Sequence, residues 1–164
     1  MVLRYSVFDT LVGDVTLVGH DKGLTGLLFG SFDPIGAVNE ETLPIYDGTM
    51  ELNQYFYGQR RQFSVKLKVI PQSEKEKEVW LYCLGIPYGE TRQYKEAAKA
   101  LSISEEELHT ILSRNPLPVF IPCHRLIGPS GGLIGYVGGC EIQEKLLILE
   151  SRVVAGTYQP GVLE

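Results

Sequence analysis

Cysteine is scarce in this sequence, positive charge is not in excess, and no apolar run is long. Three cysteines, Cys83, Cys123 and Cys140, form an odd, sparse set. They exclude a disulfide framework and a paired metal-ligand pattern, and they point to a reducing compartment. No stretch approaches the roughly 18 consecutive apolar residues of a membrane span. Met1 is followed by an alternating stretch with Arg4 and Asp9, not by a basic region and an apolar run, so no secretory signal is expected. The expectation is a soluble protein of the cytoplasm, or of the nucleus in a eukaryote. Lysine and arginine number 15 against 20 acidic residues, a net charge of −5. Taken alone, that balance argues against nucleic acid, whose binders usually carry a basic footprint.

What is present is ordinary globular material: 164 residues, 44% apolar and 21% charged. This excludes a disordered tail, a coiled coil and a collagen-like repeat. It suits an α+β chain of one domain, or two small ones sharing a core. The pattern divides near residue 72. In 1–72, short β-type runs at 5–11 and 14–18 flank Gly13, and a third run at 24–29 follows the turn-like Asp21-Lys22-Gly23. They predict a small three-stranded antiparallel sheet. Leu52, Tyr55 and Phe56 at helical spacing predict a helix over 51–57, and alternation predicts a last strand over 63–69. No chemical constellation stands out here, so a scaffold is expected.

In 73–164 the character turns helical. Ser73 suits the cap of a helix through Val79, Trp80 and Leu81, which Ile86-Pro87-Tyr88-Gly89 ends. A second helix is predicted over 94–101, a turn at Ser102-Ile103-Ser104, and a third helix from the capping box Ser104-x-x-Glu107 to about Arg114. Two short helices about a tight turn fit a helix-turn-helix. A glycine- and proline-rich loop and a last helix over 141–152, with Ile142, Leu146 and Leu149 as its buried stripe, complete the chain.

The chemistry centres on Pro122-Cys123-His124-Arg125. A thiol becomes a good nucleophile as the thiolate. A histidine can take its proton, and a carboxylate beyond the imidazole would fix the tautomer and stabilise the imidazolium. Glu150 is a candidate for that carboxylate. A Cys-His hydrolase is disfavoured, because adjacent residues of an extended segment point to opposite sides. Cys83 and Cys140 read as packing residues, and His20 and His109 show no ligand spacing.

Pro122-Cys123-His124-Arg125 resembles the active-site motif of the O6-alkylguanine-DNA alkyltransferases, also called methylated-DNA–protein-cysteine methyltransferases. The likeness extends through Ile86-Pro87-Tyr88-Gly89-Glu90, Tyr94, Ala97-Ala98, Arg114-Asn115-Pro116, Gly135-Tyr136-Val137-Gly138-Gly139, Leu146-Leu147 and Glu150, and into the N-terminal strands at 13–18 and 21–24. It implies a single-turnover repair protein, monomeric, that needs no cofactor or metal. Such a protein binds double-stranded DNA containing O6-alkylguanine, flips the damaged base, and transfers the alkyl group irreversibly to Cys123. The resemblance implies that His124 deprotonates Cys123 through a water and that Glu150 orients His124. Tyr94 would protonate the leaving guanine, and Asn115 would tie the recognition helix to the active-site loop. Leu126, Ile134, Tyr136 and Val137 would form the base pocket. Arg92, Tyr94, Glu106, Arg114 and Arg125 would lie on the DNA face.

Three residues depart from the family pattern. Glu106 stands where the family inserts an arginine into the duplex, within Glu105-Glu106-Glu107. Acids there suit the helix dipole and repel phosphate. Ile134 replaces a small residue and is expected to narrow the pocket against bulky adducts. Val137 replaces a frequent serine or alanine. These departures keep an alternative in view, a non-enzymatic sensor of alkylation damage, although sensors of that kind typically lack the cysteine. Between Glu90 and Arg125, five basic residues balance five acidic ones. A neutral DNA face predicts a shallow salt dependence.

Overall fold

The computed structural model describes residues 2–129 and 136–160. The described residues divide into two compact units, 2–70 with 158–160, and a second made of 71–129 and 136–157.

In the first unit, β1 (Leu3–Thr10) and β2 (Gly13–His20) form the expected antiparallel hairpin, with Thr10 opposite Gly13. β2 pairs antiparallel with β3 (Gly23–Phe29), through an irregularity at Val18/Gly19. The sheet has a fourth strand beyond the three expected. β4 (Ala37–Asn39) runs parallel to β1, giving the order β3-β2-β1-β4. Three residues in a loop carry too little alternation to signal a strand. Conversely, the strand expected over 63–69 is not one. This segment exchanges two backbone bonds with β3, Leu24 N–H to Lys66 O at 2.8 Å and Lys68 N–H to Leu24 O at 2.7 Å, and pairs only at Leu67.

The helix expected over 51–57 is the last half of α1 (Leu43–Phe56). Its start was hidden by chemistry. Proline in the first turn suits a helix, because its missing N–H would have had no partner there. The outward residues Leu43, Tyr46 and Met50 are apolar and exposed, which blurs the amphipathic period. Gly48 lets α1 lie close on the sheet: a Cβ there would stand 2.8 Å from the side chains of Leu17 and Leu24. Ile45, Leu52, Tyr55 and Phe56 bury the inner face. The inner face also carries a charge, Glu51. Its carboxylate accepts Ser64 N–H at 2.7 Å, Ser64 Oγ at 2.9 Å and Val65 N–H at 3.2 Å. That ties down the loop after the helix.

The second unit follows the sequence closely. Ser73 caps α2 (Glu74–Leu84) by accepting Glu76 N–H at 3.1 Å. β5 (Arg92–Gln93) leads into α3 (Tyr94–Leu101). Ser102 turns the chain at φ 58°, and Ser104 caps α4 (Glu105–Leu112) by accepting Glu107 N–H at 3.0 Å. α4 stops two residues short of Arg114. Cys123–Arg125 is one 3-10 turn, followed by β6 (Leu126–Ile127), which pairs parallel with β5. α5 (Cys140–Ala155) ends at left-handed Gly156. Its buried face is Gln143, Leu146, Leu149 and Glu150, while Ile142 of the expected stripe is only half-buried.

Candidate active site

Cys123 opens the 3-10 turn and is 4% exposed. Its loop is built tightly. Asn115, just beyond α4, sends its side-chain amide to Ile121 O at 3.0 Å and to Cys123 Sγ at 3.0 Å, and its side-chain oxygen accepts Leu117 N–H at 3.0 Å. Ile121 N–H closes on Leu117 O at 2.8 Å. Between them, buried Val119 is held at φ 76°, a left-handed conformation unfavourable for a β-branched side chain. Such a residue persists only where its surroundings over-determine it, at about 1–3 kcal/mol. Burial pushes the Cys123 thiol up to about 12, against the pull of the Asn115 amide and its own backbone. The resting group is therefore a thiol, and it needs a base.

The candidate base lies next in sequence. The segment is not the extended one that the case against a Cys-His hydrolase required. The 3-10 turn places Cys123, His124 and Arg125 on one tight coil instead. His124 and Glu150 are 0% and 1% exposed. His124 Nε2 meets Glu150 Oε2 at 2.7 Å. A carboxylate only accepts, so Nε2 carries the proton and Nδ1 the lone pair. Nδ1 is buried and meets no hydrogen-bond partner among the described residues. Burial would raise the Glu150 carboxyl, but His124 and then the Arg125 guanidinium overcome it and hold the carboxyl well below its usual range.

Arg125 was expected on the DNA face, and the structure places it inside. Nε and Nη2 donate to Glu150 Oε1 at 2.9 Å and Oε2 at 3.0 Å, and Nη1 donates to Ile86 O at 2.8 Å. The guanidinium also lies 5.5 Å from the centroid of the Tyr88 ring. A bidentate pair with a buried carboxylate, plus a carbonyl, commits the cation internally.

Three groups that complete this cluster were not named as site residues from the sequence. Gly89 N–H donates to Glu150 Oε1 at 3.1 Å. Gly89 stands at φ 80°, where a Cβ would lie 2.6 Å from Val154 Cγ2, so both conformation and space demand glycine. Gln143 spans His124 O at 3.1 Å and Leu126 O at 3.0 Å. Its signal was present: 143, 146 and 150 fall on one helix face, so the polar ends of that row point inward with Leu146. Ile86 contributes only a carbonyl, which a sequence does not advertise.

The expected pocket residues gather partly here. Tyr94, the first residue of α3, is buried. Its hydroxyl is pushed well up by burial and then by the neighbouring Cys123 and Cys83 thiols. Tyr136 is buried edge-on to His124, ring centroids 6.2 Å apart, and burial, Cys123 and Glu150 all raise its hydroxyl. Leu126 is fully buried, and its carbonyl already accepts from Gln143. Val137 is exposed. Ile134 lies outside the described residues. On the surface, Arg92 is tied to Glu90 at 3.2 Å and Thr91 O at 2.9 Å, and exposed Arg114 lies 3.7 Å from buried Glu76. Glu106 is exposed in the first turn of α4. Cys83 is a packing residue as expected, but Cys140 is exposed at the start of α5. Among the described residues there is no group of three or more histidine, cysteine or acidic side chains that could hold a metal ion, and no helix is long and apolar enough to cross a membrane.

Comparison with known proteins places relatives beside this chain. Residues 74–152 match the DNA binding domain of 6-O-methylguanine DNA methyltransferase, and residues 3–69 match that family's ribonuclease-like domain. The chain is 36% identical over 156 residues to a methylated-DNA–protein-cysteine methyltransferase of Methanosarcina acetivorans, covering 90% of this chain and 98% of that protein. It is 34% identical to the protein of the same name from Mycobacterium tuberculosis, over 91% of this chain and 93% of that one. A crystal structure of Mycobacterium tuberculosis OGT in complex with DNA superposes with a TM-score of 0.82 at 33% identity, covering 92% of this chain and 94% of the other.

Proposed function

This chain belongs to the methylated-DNA–protein-cysteine methyltransferases, and from that premise we propose that it repairs double-stranded DNA by moving an alkyl group from O6 of guanine to the sulfur of Cys123. The observation that carries the assignment of the acceptor is the pairing of Asn115 with Cys123 Sγ at 3.0 Å beside the His124–Glu150 contact at 2.7 Å.

The steps balance without a further reagent. His124 Nδ1 takes the thiol proton, through a water, while Glu150 holds the Nε2 proton and steadies the imidazolium. The Asn115 amide donates to the sulfur as it gains charge. The thiolate attacks the alkyl carbon, an S–C bond forms, and the C–O6 bond breaks. Tyr94, whose raised hydroxyl keeps its proton at neutral pH, supplies it to the departing guanine. The thioether product is stable, so each molecule acts once. The target carbon lies inside the base stack, so the nucleotide must be extruded, at a few kcal/mol, least for a weakly paired base. Tyr136 then lines the pocket, and the backbone of Val137 and Leu126 faces the base edge. The DNA face is carried by α3 and α4 with Arg92 and Arg114, and exposed Glu106 contributes no attraction to phosphate.

Incubation with a duplex containing O6-methylguanine, followed by the mass of the intact protein, tests this. A gain of one methyl is the expected result. An unchanged mass with tight lesion binding would favour a damage sensor, and no binding would defeat both.

A further inference from the structure

Arg125 was assigned to DNA by its position in the motif, yet every one of its guanidinium nitrogens is engaged inside the fold. We propose that Arg125 is a positioning residue of the transfer reaction: its two-point grip on Glu150 shares the carboxylate's charge, so that Glu150 orients His124 without drawing a permanent proton onto it. The inference rests on reading Cys123 as the acceptor and His124 as its base.

Charge in a dry site is what Arg125 balances. Glu150 Oε1 accepts from Arg125 Nε at 2.9 Å and Gly89 N–H at 3.1 Å, while Oε2 accepts from Arg125 Nη2 at 3.0 Å and contacts His124 Nε2 at 2.7 Å. An unshared carboxylate this close to a buried imidazole would favour the imidazolium. An imidazolium cannot accept the thiol proton. With Arg125 in place, carboxylate and guanidinium cancel. The imidazolium then appears only when the thiolate does, as the proton passes from Cys123 Sγ to His124, and the site's net charge is unchanged.

Among the described residues, the other ionisable groups near this cluster are neutral when protonated and do not supply this balance. They are Tyr136 against the ring edge, Tyr94 at the head of α3, Tyr88 beneath the guanidinium, and Cys83 on α2. Geometry fixes the grip as well. Nη1 on Ile86 O at 2.8 Å and the Tyr88 ring orient the guanidinium plane, and the single 3-10 turn brings Cys123, His124 and Arg125 in together.

The test is the pH profile of Cys123 alkylation in the full chain, measured with iodoacetamide and, separately, with a duplex carrying O6-methylguanine. Arg125→Met removes the cation, so the acid limb should move up by about one pH unit or more. Its deficit against wild type should then be about tenfold larger at about pH 6 than at about pH 8.5. Arg125→Lys keeps a charge with poorer geometry, so its rate should fall evenly with the limb in place. A deficit of the methionine variant that is equal at every pH, as a merely structural role would give, overturns the proposal. So does a lysine variant that shifts the limb as far as methionine.

Should Arg125→Met fail to fold by circular dichroism, Glu150→Gln is compared with the double variant Arg125→Gln, Glu150→Gln, which buries no net charge. The double variant should have the higher acid limb, and coincident limbs overturn the proposal. The iodoacetamide arm needs no DNA. A wild-type protein that takes no methyl from the duplex while its limb responds to Arg125 would therefore defeat the repair reading and leave the role of Arg125 toward His124 standing.

Discussion

Glu51 and Glu150 are both buried carboxylates, 3% and 1% exposed, each on the inner face of a long helix and each accepting three or more hydrogen bonds. By burial and satisfaction they are alike. Their partners separate them. Glu51 receives two backbone N–H groups and a hydroxyl of a single loop, with Arg60 3.8 Å away. Glu150 receives a histidine, an arginine and a glycine N–H from segments far apart in sequence, and that histidine adjoins a thiol. The first carboxylate stabilises a loop, and the second, in the reaction proposed, orients the base that serves a thiol. A buried acid marks chemistry when its partner can itself gain or lose a proton beside a reactive atom.

The comparison can be broken most severely at Glu150. Glu150→Gln leaves the Arg125 cation buried without its counter-charge and His124 with at most a neutral acceptor. Methyl transfer, followed by quenched-flow and intact mass, should slow by about a hundredfold or more. Urea unfolding should show a loss of about 3–5 kcal/mol. Glu51→Gln should cost about 1–3 kcal/mol in the same titration, with transfer by the folded protein unchanged. A transfer defect in Glu51→Gln would erase the distinction between the two acids.

Acid sharpens the contrast further. The folded Glu150 carboxyl lies below its ordinary value of 4.5. Its pairing therefore contributes stability that is complete above that value and is lost as pH falls below it. Thermal melts of wild type should drop below about pH 4.5, and Glu150→Gln should drop less. The smallest effect expected is on DNA binding. With Arg125 withdrawn, Arg92, Lys95, Lys99 and Arg114 remain on or beside α3 and α4, and Glu90 and Glu76 already engage two of them. The log–log salt slope should then be no steeper than about −4.

Much of the second unit was legible because local rules decide it. Ser73 and Ser104 cap the helices they were expected to cap, and α3 runs from Tyr94 to Leu101 as its spacing predicts. Glu150 was also named from the sequence, and it meets His124 Nε2 at 2.7 Å. What was hidden depends on tertiary partners. Arg125 looks like a surface cation until Glu150 and Ile86 O are known to converge on it. β4 exists only because β1 offers an open edge, and the first half of α1 shows an apolar outer face that no periodicity accommodates. Gln143 and Gly89 are ordinary residues whose roles are set by what the fold brings near them.

The central claim is that Cys123, and no other thiol, receives the alkyl group. Treating the protein with one equivalent of O6-methylguanine duplex and sequencing its peptides by tandem mass spectrometry tests it directly. The account predicts a single methyl on the Cys123 peptide, none on Cys83 or Cys140, and no transfer in Cys123→Ala, which should still bind DNA. Methylation of Cys83 or Cys140, or undiminished transfer in Cys123→Ala, would contradict it.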